Sequence, residues 1–138
     1  MAVNINLYEK IAYDPQKDFD PIALICDVPN ILVLNSTLPP KTVKEFVAYT
    51  QANPGKLNFG STGIGSSMHL AGELFKLQTQ TFITHIPYRG AGPALNDLIA
   101  GNVDMMFDGL GSSASHIKGG RIKALMVSGS KRSPAFPD

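Results

Sequence analysis

Short apolar runs alternate with amphipathic stretches along most of this chain, and the two kinds of segment follow each other at similar spacing. The apolar runs have the length and the flanking Gly, Pro, Asn and Asp residues of buried strands. The stretches between them carry apolar residues at helical spacing. This alternation predicts right-handed β-α-β crossovers, and therefore an α/β fold whose mostly parallel sheet has helices on both faces.

The apolar runs are the predicted strands of this sheet. They span residues 22–26, 31–34, 57–59, 82–88, 103–108 and 122–127. The first two are either separate strands or one long strand interrupted at Pro29, because proline cannot donate to a sheet ladder. Strand and helix alternate without an internal repeat or a low-complexity tract.

Capping signals locate the predicted helices. Thr42 and Glu45 match a capping box, and residues 53–55 end the amphipathic pattern that follows. Further helices are predicted from about Ser67, from Pro93 to about residue 100, and over residues 115–118. Pro93 suits the first helical position because the N–H that it lacks has no partner there.

The loop that follows the strand at 57–59 is rich in glycine and hydroxyl side chains. It runs from Gly60 to Ser67 and leads into a predicted helix. Glycines let a backbone approach a ligand, hydroxyls donate hydrogen bonds, and a helix N-terminus presents free N–H groups. The loop is therefore typical of an anion pocket, and equally of an ordinary strand-to-helix turn capped by Ser66 or Ser67.

Two later loops repeat this layout. Residues 89–92 follow the strand at 82–88, and residues 109–113 follow the strand at 103–108. In an open parallel sheet such loops meet at the carboxyl edge of the strands, where ligands bind. The spacing of Gly60, Gly63 and Gly65 is not that of a dinucleotide fingerprint, and no lysine follows these glycines as in a P-loop. A phosphate-binding enzyme is therefore the weaker interpretation.

Size and charge narrow the classes of function. The 138 residues suffice for one cored domain, and a net charge of +1 with scattered basic residues does not suggest nucleic acid or an acidic membrane as partner. No apolar run reaches the length of a membrane span, and residues 1–6 lack the pattern of a signal peptide. The single cysteine, Cys26, lies in an apolar run and is predicted to be a buried, inert thiol.

The three histidines carry different expectations. His69 lies in the first turn after the glycine loop, where it either donates to a bound carboxylate or fastens the loop to the helix. His85 is predicted to be a half-buried structural residue, and His116 to be exposed. Because no two histidines stand at metal-ligand spacing and there is one cysteine, neither a metal nor another cofactor is expected.

Three charged residues near strand ends are weighed as candidates. Asp104 and Asp108 share one face of their strand. Asp108, at the carboxyl end, either accepts a hydrogen bond from a ligand hydroxyl or amine or caps the following helix, whereas Asp104 is expected to end a turn or pair with a lysine. Arg89 either binds a carboxylate bidentately or is an ordinary surface arginine.

An enzyme is the competing interpretation, namely a small α/β hydrolase or transferase that uses Ser66 and His69. No acid that would orient His69 is identifiable, and the G-x-S-x-G nucleophile elbow is absent. A binding module without catalytic activity is therefore the preferred interpretation.

A set of linked motifs in one order adds a family resemblance. The motifs occupy residues 13–15, 17–19, 21–24, 52–61, 69–75, 87–90, 93–95 and 131–134. Together they resemble the substrate-binding receptors of tripartite tricarboxylate transporters, the Bug-type periplasmic proteins. This resemblance implies one lobe of a two-lobed, type II periplasmic binding protein that traps a small carboxylate, such as a dicarboxylate, and delivers it to a membrane permease.

The resemblance also implies which residues line the pocket. Carried over by position, they are Ser61, Thr62, Gly65, Ser66, His69, Arg89, Gly90, Ala91 and Asp108. The chain would correspond to the second lobe alone, with an N-terminal segment at 1–20, the lobe at 21–127 and a tail at 128–138 that leads to a missing lobe. Such an isolated lobe is expected to bind carboxylates weakly and to self-associate through surfaces that its partner lobe would cover.

Overall fold

The computed structural model of the chain describes residues 3–137. Its strands are β1 (Asn30–Asn35), β2 (Asn58–Ser61), β3 (Thr84–Pro87), β4 (Met105–Gly109) and β5 (Ile122–Val127). Its helices are α1 (Val43–Ala52), α2 (Ser67–Thr79), α3 (Ala91–Ala100) and α4 (Leu110–Lys118), preceded by a 3-10 turn at Asn4–Asn6. Within residues 3–137, none of the helices has the length and apolar character that crossing a membrane requires.

The strands form a sheet in the order β3-β2-β4-β1-β5. β2 pairs in parallel with both β3 and β4, whereas β1 is antiparallel to β4 and to β5. Four of the described strands thus run in one direction, and β1 opposes them. The predicted α/β fold with a mostly parallel sheet is confirmed, and its three parallel neighbours are β3, β2 and β4.

Alternating side chains along the strands build one hydrophobic cluster on each face of the sheet. The first cluster joins Phe59 of β2 to Phe46 of α1 and Phe75 of α2. The second joins Met106 of β4 to Leu98 of α3. Helices therefore cover both faces, as predicted, and the period of two along each strand decides on which face a functional side chain lies.

Helix α1 begins as the sequence predicts. Thr42 Oγ1 accepts a hydrogen bond from the N–H of Glu45 at 3.2 Å, and Glu45 Oε2 accepts one from the N–H of Lys41 at 2.8 Å. The first bond satisfies a donor that the first helical turn leaves without a backbone partner, and the second ties the residue before the N-cap to the same turn.

Two helices begin earlier than predicted. α3 begins at Ala91, so Pro93 occupies the third helical position and not the first. Neither position provides an intrahelical partner for an N–H, and the proline therefore fits both. α4 begins at Leu110, directly after β4, and not near residue 115. The glycine and serines of its first turns give it little of the periodicity by which a helix is predicted.

The strand predicted at residues 22–26 is wrong. This stretch joins no described strand, and Ile22, Leu24 and Ile25 are 99%, 90% and 93% exposed. Cys26 is exposed as well, so the prediction of a buried thiol is also wrong. An apolar run becomes a strand only where a neighbouring strand takes up its backbone hydrogen bonds, and the described chain provides none for residues 22–26.

Candidate functional site

The segments that follow β2, β3 and β4 meet at one edge of the sheet. These strands are parallel neighbours, so their carboxyl ends lie side by side. Helices α2, α3 and α4 each follow one of these strands, and their N-terminal ends therefore lie at the same edge. Residues 61–66, from the last residue of β2 to the N-cap of α2, are called the first loop below, and residues 88–90, between β3 and α3, the second loop.

Hydrogen bonds fasten the first loop to α2. Ser66 caps the helix, because its Oγ accepts from the N–H of His69 at 3.2 Å. The N–H of Gly65 donates to Nδ1 of His69 at 3.1 Å, so His69 bonds to the loop through its side chain as well as through its backbone. Gly65 has a φ of +79°, which glycine adopts without strain. The serine-capped turn is confirmed, and anion binding by the loop stays a prediction.

His85 of β3 reaches the start of the first loop. Its Nε2 lies 2.7 Å from Ser61 Oγ, and Ser61 is fully buried. Its ring stacks on that of His69, with the ring centroids 4.1 Å apart and 23° between the planes. Phe59, which pairs with His85 in the parallel register, stacks on the His85 ring at 4.7 Å. The prediction that His85 is half-buried is confirmed.

Two charged residues of α2 flank the paired imidazoles. Glu73 Oε1 lies 3.9 Å from His69 Nε2, and Lys76 Nζ contacts both carboxylate oxygens of Glu73 at 2.9 Å. Burial lowers the pKa of His85 below its ordinary value of 6.5; His69 lowers it further, Glu73 opposes the change and Lys76 adds to it. His85 is therefore a neutral ring near pH 7, where it offers one donor nitrogen and one acceptor nitrogen.

Within residues 3–137, one side-chain hydrogen bond holds the second loop. The Tyr88 hydroxyl donates to Asp97 Oδ2 of α3 at 2.7 Å. Burial and this carboxylate raise the pKa of Tyr88 to about 12, and the same hydrogen bond lowers the pKa of Asp97. Gly90 is the N-cap residue of α3, and no described side chain caps that helix. The exposed Arg89 lies beside this uncapped N-terminus.

Asp108 lies at the end of β4 and is fully buried. Its Oδ2 accepts from the hydroxyls of Ser112 and Ser113 of α4, at 2.7 Å and 2.6 Å. Its Oδ1 is buried without a hydrogen-bond partner among the described residues. Asp108 thus bonds to serine side chains of the helix that follows it, but it does not cap that helix, whose N-cap residue is Gly109, so the capping interpretation is wrong.

The structure brings some of the predicted pocket residues together and separates others. Gly65, Ser66 and His69 form one bonded group with Ser61 through the His69–His85 pair. Asp108 lies two residues after Met106 on β4, so its side chain is on the same face of the sheet as Met106 and on the opposite face from this group. Residues from both faces of the sheet thus lie at the same edge.

The proposed Ser66–His69 nucleophile pair does not form. Ser66 Oγ contacts the backbone N–H of His69, while the ring nitrogens of His69 face Gly65 and Glu73. Among residues 3–137 there is also no group of three side chains that could hold a metal ion.

Two further predictions need correction in part. Asp104 directly follows the turn at residues 101–103, as one of its alternatives predicts, but it pairs with no described lysine: its Oδ2 accepts from the backbone N–H of Asn58 at 2.8 Å and so joins the residue before β4 to β2. His116 of α4 is half-buried and not exposed, and its Nδ1 is buried without a hydrogen-bond partner among the described residues.

Sequence reasoning missed the partners that hold the two loops. His85 and Ser61 are 24 residues apart, and their contact depends on the register between β2 and β3. Tyr88 and Asp97 are nine residues apart, and their contact depends on how the second loop enters α3. Ser61 and His85 lie on the same face of two neighbouring parallel strands, and this shared face is the signal by which their contact could have been predicted.

Comparison with known proteins places this architecture in a family. A family model described as the tripartite tricarboxylate transporter family receptor matches residues 1–138. BugT of Bordetella pertussis is 36% identical over 137 residues, which are 99% of this chain and 42% of BugT.

Solved structures agree with this match. MatC from Rhodopseudomonas palustris with bound malate is 33% identical and has a TM-score of 0.88, over 98% of this chain and 46% of MatC. A second R. palustris protein, solved with adipate, is 38% identical with a TM-score of 0.84, over 91% of this chain and 42% of its own. This chain spans less than half the length of each of these relatives. It belongs to the tripartite tricarboxylate transporter family of receptors, which are solute-binding proteins and not enzymes.

Proposed function

We propose that this chain forms the carboxylate-binding part of a periplasmic receptor that delivers a small organic acid to the membrane permease of a tripartite tricarboxylate transporter. Membership of the receptor family supports this function. The relatives solved with malate and with adipate support a dicarboxylate or a related organic acid as the ligand.

The observation that carries the proposal is the convergence of three helix N-termini at one edge of the sheet. Helices α2, α3 and α4 follow the parallel neighbours β2, β3 and β4, so their positive ends lie together. Helix α3 lacks a side-chain cap, which leaves its first N–H groups available to an anion. A carboxylate at this edge would replace the missing cap.

The ligand contacts follow from this placement. We assign the backbone of the two loops and the half-buried Thr62 to direct contact with a carboxylate, and Arg89 to a charge-assisted contact from the rim. Asp108 is the candidate for a hydroxyl or amine of the ligand, and because it is fully buried in this structure, its Oδ1 would have to be uncovered when the ligand binds. The remaining members of the proposed pocket are Ser61, Gly65, Ser66, His69, Gly90 and Ala91.

The affinity of the 138-residue chain should be low. One lobe leaves half of a ligand in water, and loop amides then compete with solvent. We expect dissociation constants in the range of about 1 mM or weaker. The exposed apolar side chains Ile22, Leu24 and Ile25 also make self-association of this chain an expectation at high concentration, which sedimentation would detect.

A chemical-shift titration tests the proposed function. Malate and adipate should shift the amide signals of Gly63, Gly65 and Gly90, whereas adipamide, which has the shape of adipate without its charge, should leave them in place. Equal shifts with adipamide, or shifts confined to residues away from the loops, would contradict carboxylate binding at this edge.

Two arginine variants test whether the carboxylate binds at this edge of the sheet. Arg89 and Arg121 are both exposed, but Arg121 precedes β5 at the opposite edge of the sheet. Arg89→Ala should weaken adipate binding several-fold, because a charge-assisted contact is lost, and Arg121→Ala should leave it unchanged. Equal losses in both variants would indicate attraction by net charge alone.

A further inference from the structure

The first loop is held at both of its ends by histidine side chains. At one end, Nε2 of His85 lies 2.7 Å from Ser61 Oγ. At the other, Nδ1 of His69 accepts the N–H of Gly65 at 3.1 Å. The assignment of direct ligand contacts above gives no role to His85, so its position against Ser61 needs a separate explanation.

The bond from Gly65 requires His69 to be unprotonated at Nδ1. A neutral imidazole has one acceptor nitrogen, and an imidazolium has none. Because Gly65 supplies a donor, the ring proton of His69 belongs on Nε2, which faces Glu73 Oε1 at 3.9 Å. Protonation of Nδ1 would set two donors against each other and break this attachment of the loop.

The two rings are so close that protonation of both at the same time is unfavourable. Their centroids are 4.1 Å apart, so a proton on one ring raises the free energy of a proton on the other. Among the described residues, the charged groups that face the pair are Glu73 and Lys76 of α2: Glu73 favours a proton on His85, and Lys76, bonded to Glu73, opposes it. The neighbours described from β2 are the uncharged Phe59 and Ser61.

The position of the His85 ring proton also determines whether the Ser61 hydroxyl accepts or donates the hydrogen bond between them. If Nε2 of His85 carries the proton, it donates to Ser61 Oγ and leaves the serine proton free. If Nε2 is unprotonated, the serine hydroxyl donates to the ring instead. Ser61 Oγ also lies 3.2 Å from both the N–H and the carbonyl oxygen of Gly63, so the orientation of the hydroxyl bears directly on the loop backbone.

We propose that His69 and His85 form a pH-sensitive latch that holds the first loop in its binding conformation while both rings are neutral, and that His85 acts in it as the positioning residue for Ser61. When the pair takes up a proton, Gly65 loses its acceptor, the loop loosens and carboxylate affinity falls. The statement about affinity rests on the proposed function, whereas the statement about the loop does not.

Amide exchange of the ligand-free chain tests the latch. The protection factor of the Gly65 amide should fall about fivefold between about pH 7.5 and about pH 5, as loss of one hydrogen bond predicts. His69→Asn keeps an acceptor near the Nδ1 position and cannot titrate, so its Gly65 amide should stay protected across this range. His69→Phe keeps a ring for stacking but has no acceptor, so its loop should be loose at every pH.

Two more variants separate the latch from general acid effects. His85→Gln retains a polar atom toward Ser61 and removes the second imidazole, so the loss of Gly65 protection in acid should remain in this variant, where it depends on His69 alone. His116→Gln should behave like the parent chain, because His116 lies on α4 outside the latch. An unchanged Gly65 protection factor in the parent chain, or the same acid loss in His69→Asn, would overturn the proposal.

Adipate binding measured at different pH values tests the consequence of the latch for affinity. Adipate affinity, measured by chemical shift at each pH, should fall more steeply in the parent chain than in His69→Asn, since protonation of adipate itself is common to both. If affinity instead rises on acidification only in the parent chain, the imidazolium attracts the carboxylate and the latch is wrong. If no variant binds adipate but Gly65 still loosens in acid, the proposed function fails while the latch stands.

Discussion

Gly72 of α2 lies directly against the ring of Phe59 on β2: a Cβ placed at position 72 would lie 2.3 Å from Phe59 Cε2. The same ring stacks on His85 and contributes to the first hydrophobic cluster. The absence of a side chain at position 72 therefore sets how closely the helix behind the first loop approaches the sheet. Phe59 is fully buried, so it has no space into which to move.

Gly72→Ala should destabilise the chain in spite of the better helix propensity of alanine. Overpacking a filled core costs roughly 1–3 kcal/mol, which exceeds the gain of about 0.5–1 kcal/mol from replacing a helical glycine. Urea unfolding would measure the difference. Gly111→Ala is the matched control, because Gly111 lies within α4 with open space around its Cβ direction, and this variant should be more stable than the parent chain. A stabilised Gly72→Ala variant would show that α2 shifts freely on the sheet.

Stability should fall in mild acid because of His85. The unfolded residue takes up a proton near its ordinary pKa of 6.5, and the folded residue does so only at lower pH. Between these values the unfolded chain holds more protons, so the stabilising contribution is present above pH 6.5 and is lost as the pH falls below it. Urea midpoints measured across this range should vary less with pH in His85→Gln. A parallel dependence in both proteins would assign the acid sensitivity to other groups.

The hydroxyls that face Asp108 should matter more for stability than its charge. Ser113→Ala removes a donor to a buried carboxylate and should lower the free energy of unfolding by about 2 kcal/mol, since such bonds contribute roughly 1.5–3 kcal/mol. Asp108→Asn keeps the shape and one acceptor oxygen for the serines, and it removes a charge whose Oδ1 has no described partner. We expect a change below about 1 kcal/mol for Asp108→Asn. The reverse order of the two effects would show that the charge itself stabilises the end of β4.

Tyr88 should ionise at a higher pH than an ordinary tyrosine. Its pKa is raised to about 12, so its contribution to stability is present below the ordinary value of 10.0 and is lost as the pH rises from there toward 12. Phenolate absorbance should show a late step in the parent chain and none in Tyr88→Phe. Persistence of the late step in the variant would assign it to another tyrosine.

The sequence predicts those parts of the fold that are determined by residues close together in the chain. The Thr42–Glu45 capping box, and the strand that becomes β5 at residues 122–127, are decided by neighbours in the chain and were predicted correctly. Residues 22–26 have the same local pattern as a strand, but a strand also requires a partner that no local pattern reveals.

The candidate site divides in the same way. That three loops share one edge follows from strand direction, which the alternation of elements predicts. The stacking of His69 on His85 depends on the register of β2 against β3 and on the close approach that Gly72 allows, and neither is visible as a short-range pattern. Strand order decides which residues meet, and it is a long-range property.

The position of β1 within the sheet has a consequence for how the chain folds. β1 precedes the other described strands in the sequence, yet it lies between β4 and β5, with Leu34 opposite Met105 on one side and Lys123 on the other. Its hydrogen bonds therefore form only after long loops close, and such pairings make folding slow. During synthesis, the strongly apolar β1 would leave the ribosome well before either of its partners. We expect the sheet to assemble late and in one step, so that binding competence at its edge arrives only when β1 has been enclosed by β4 and β5, which are made after it.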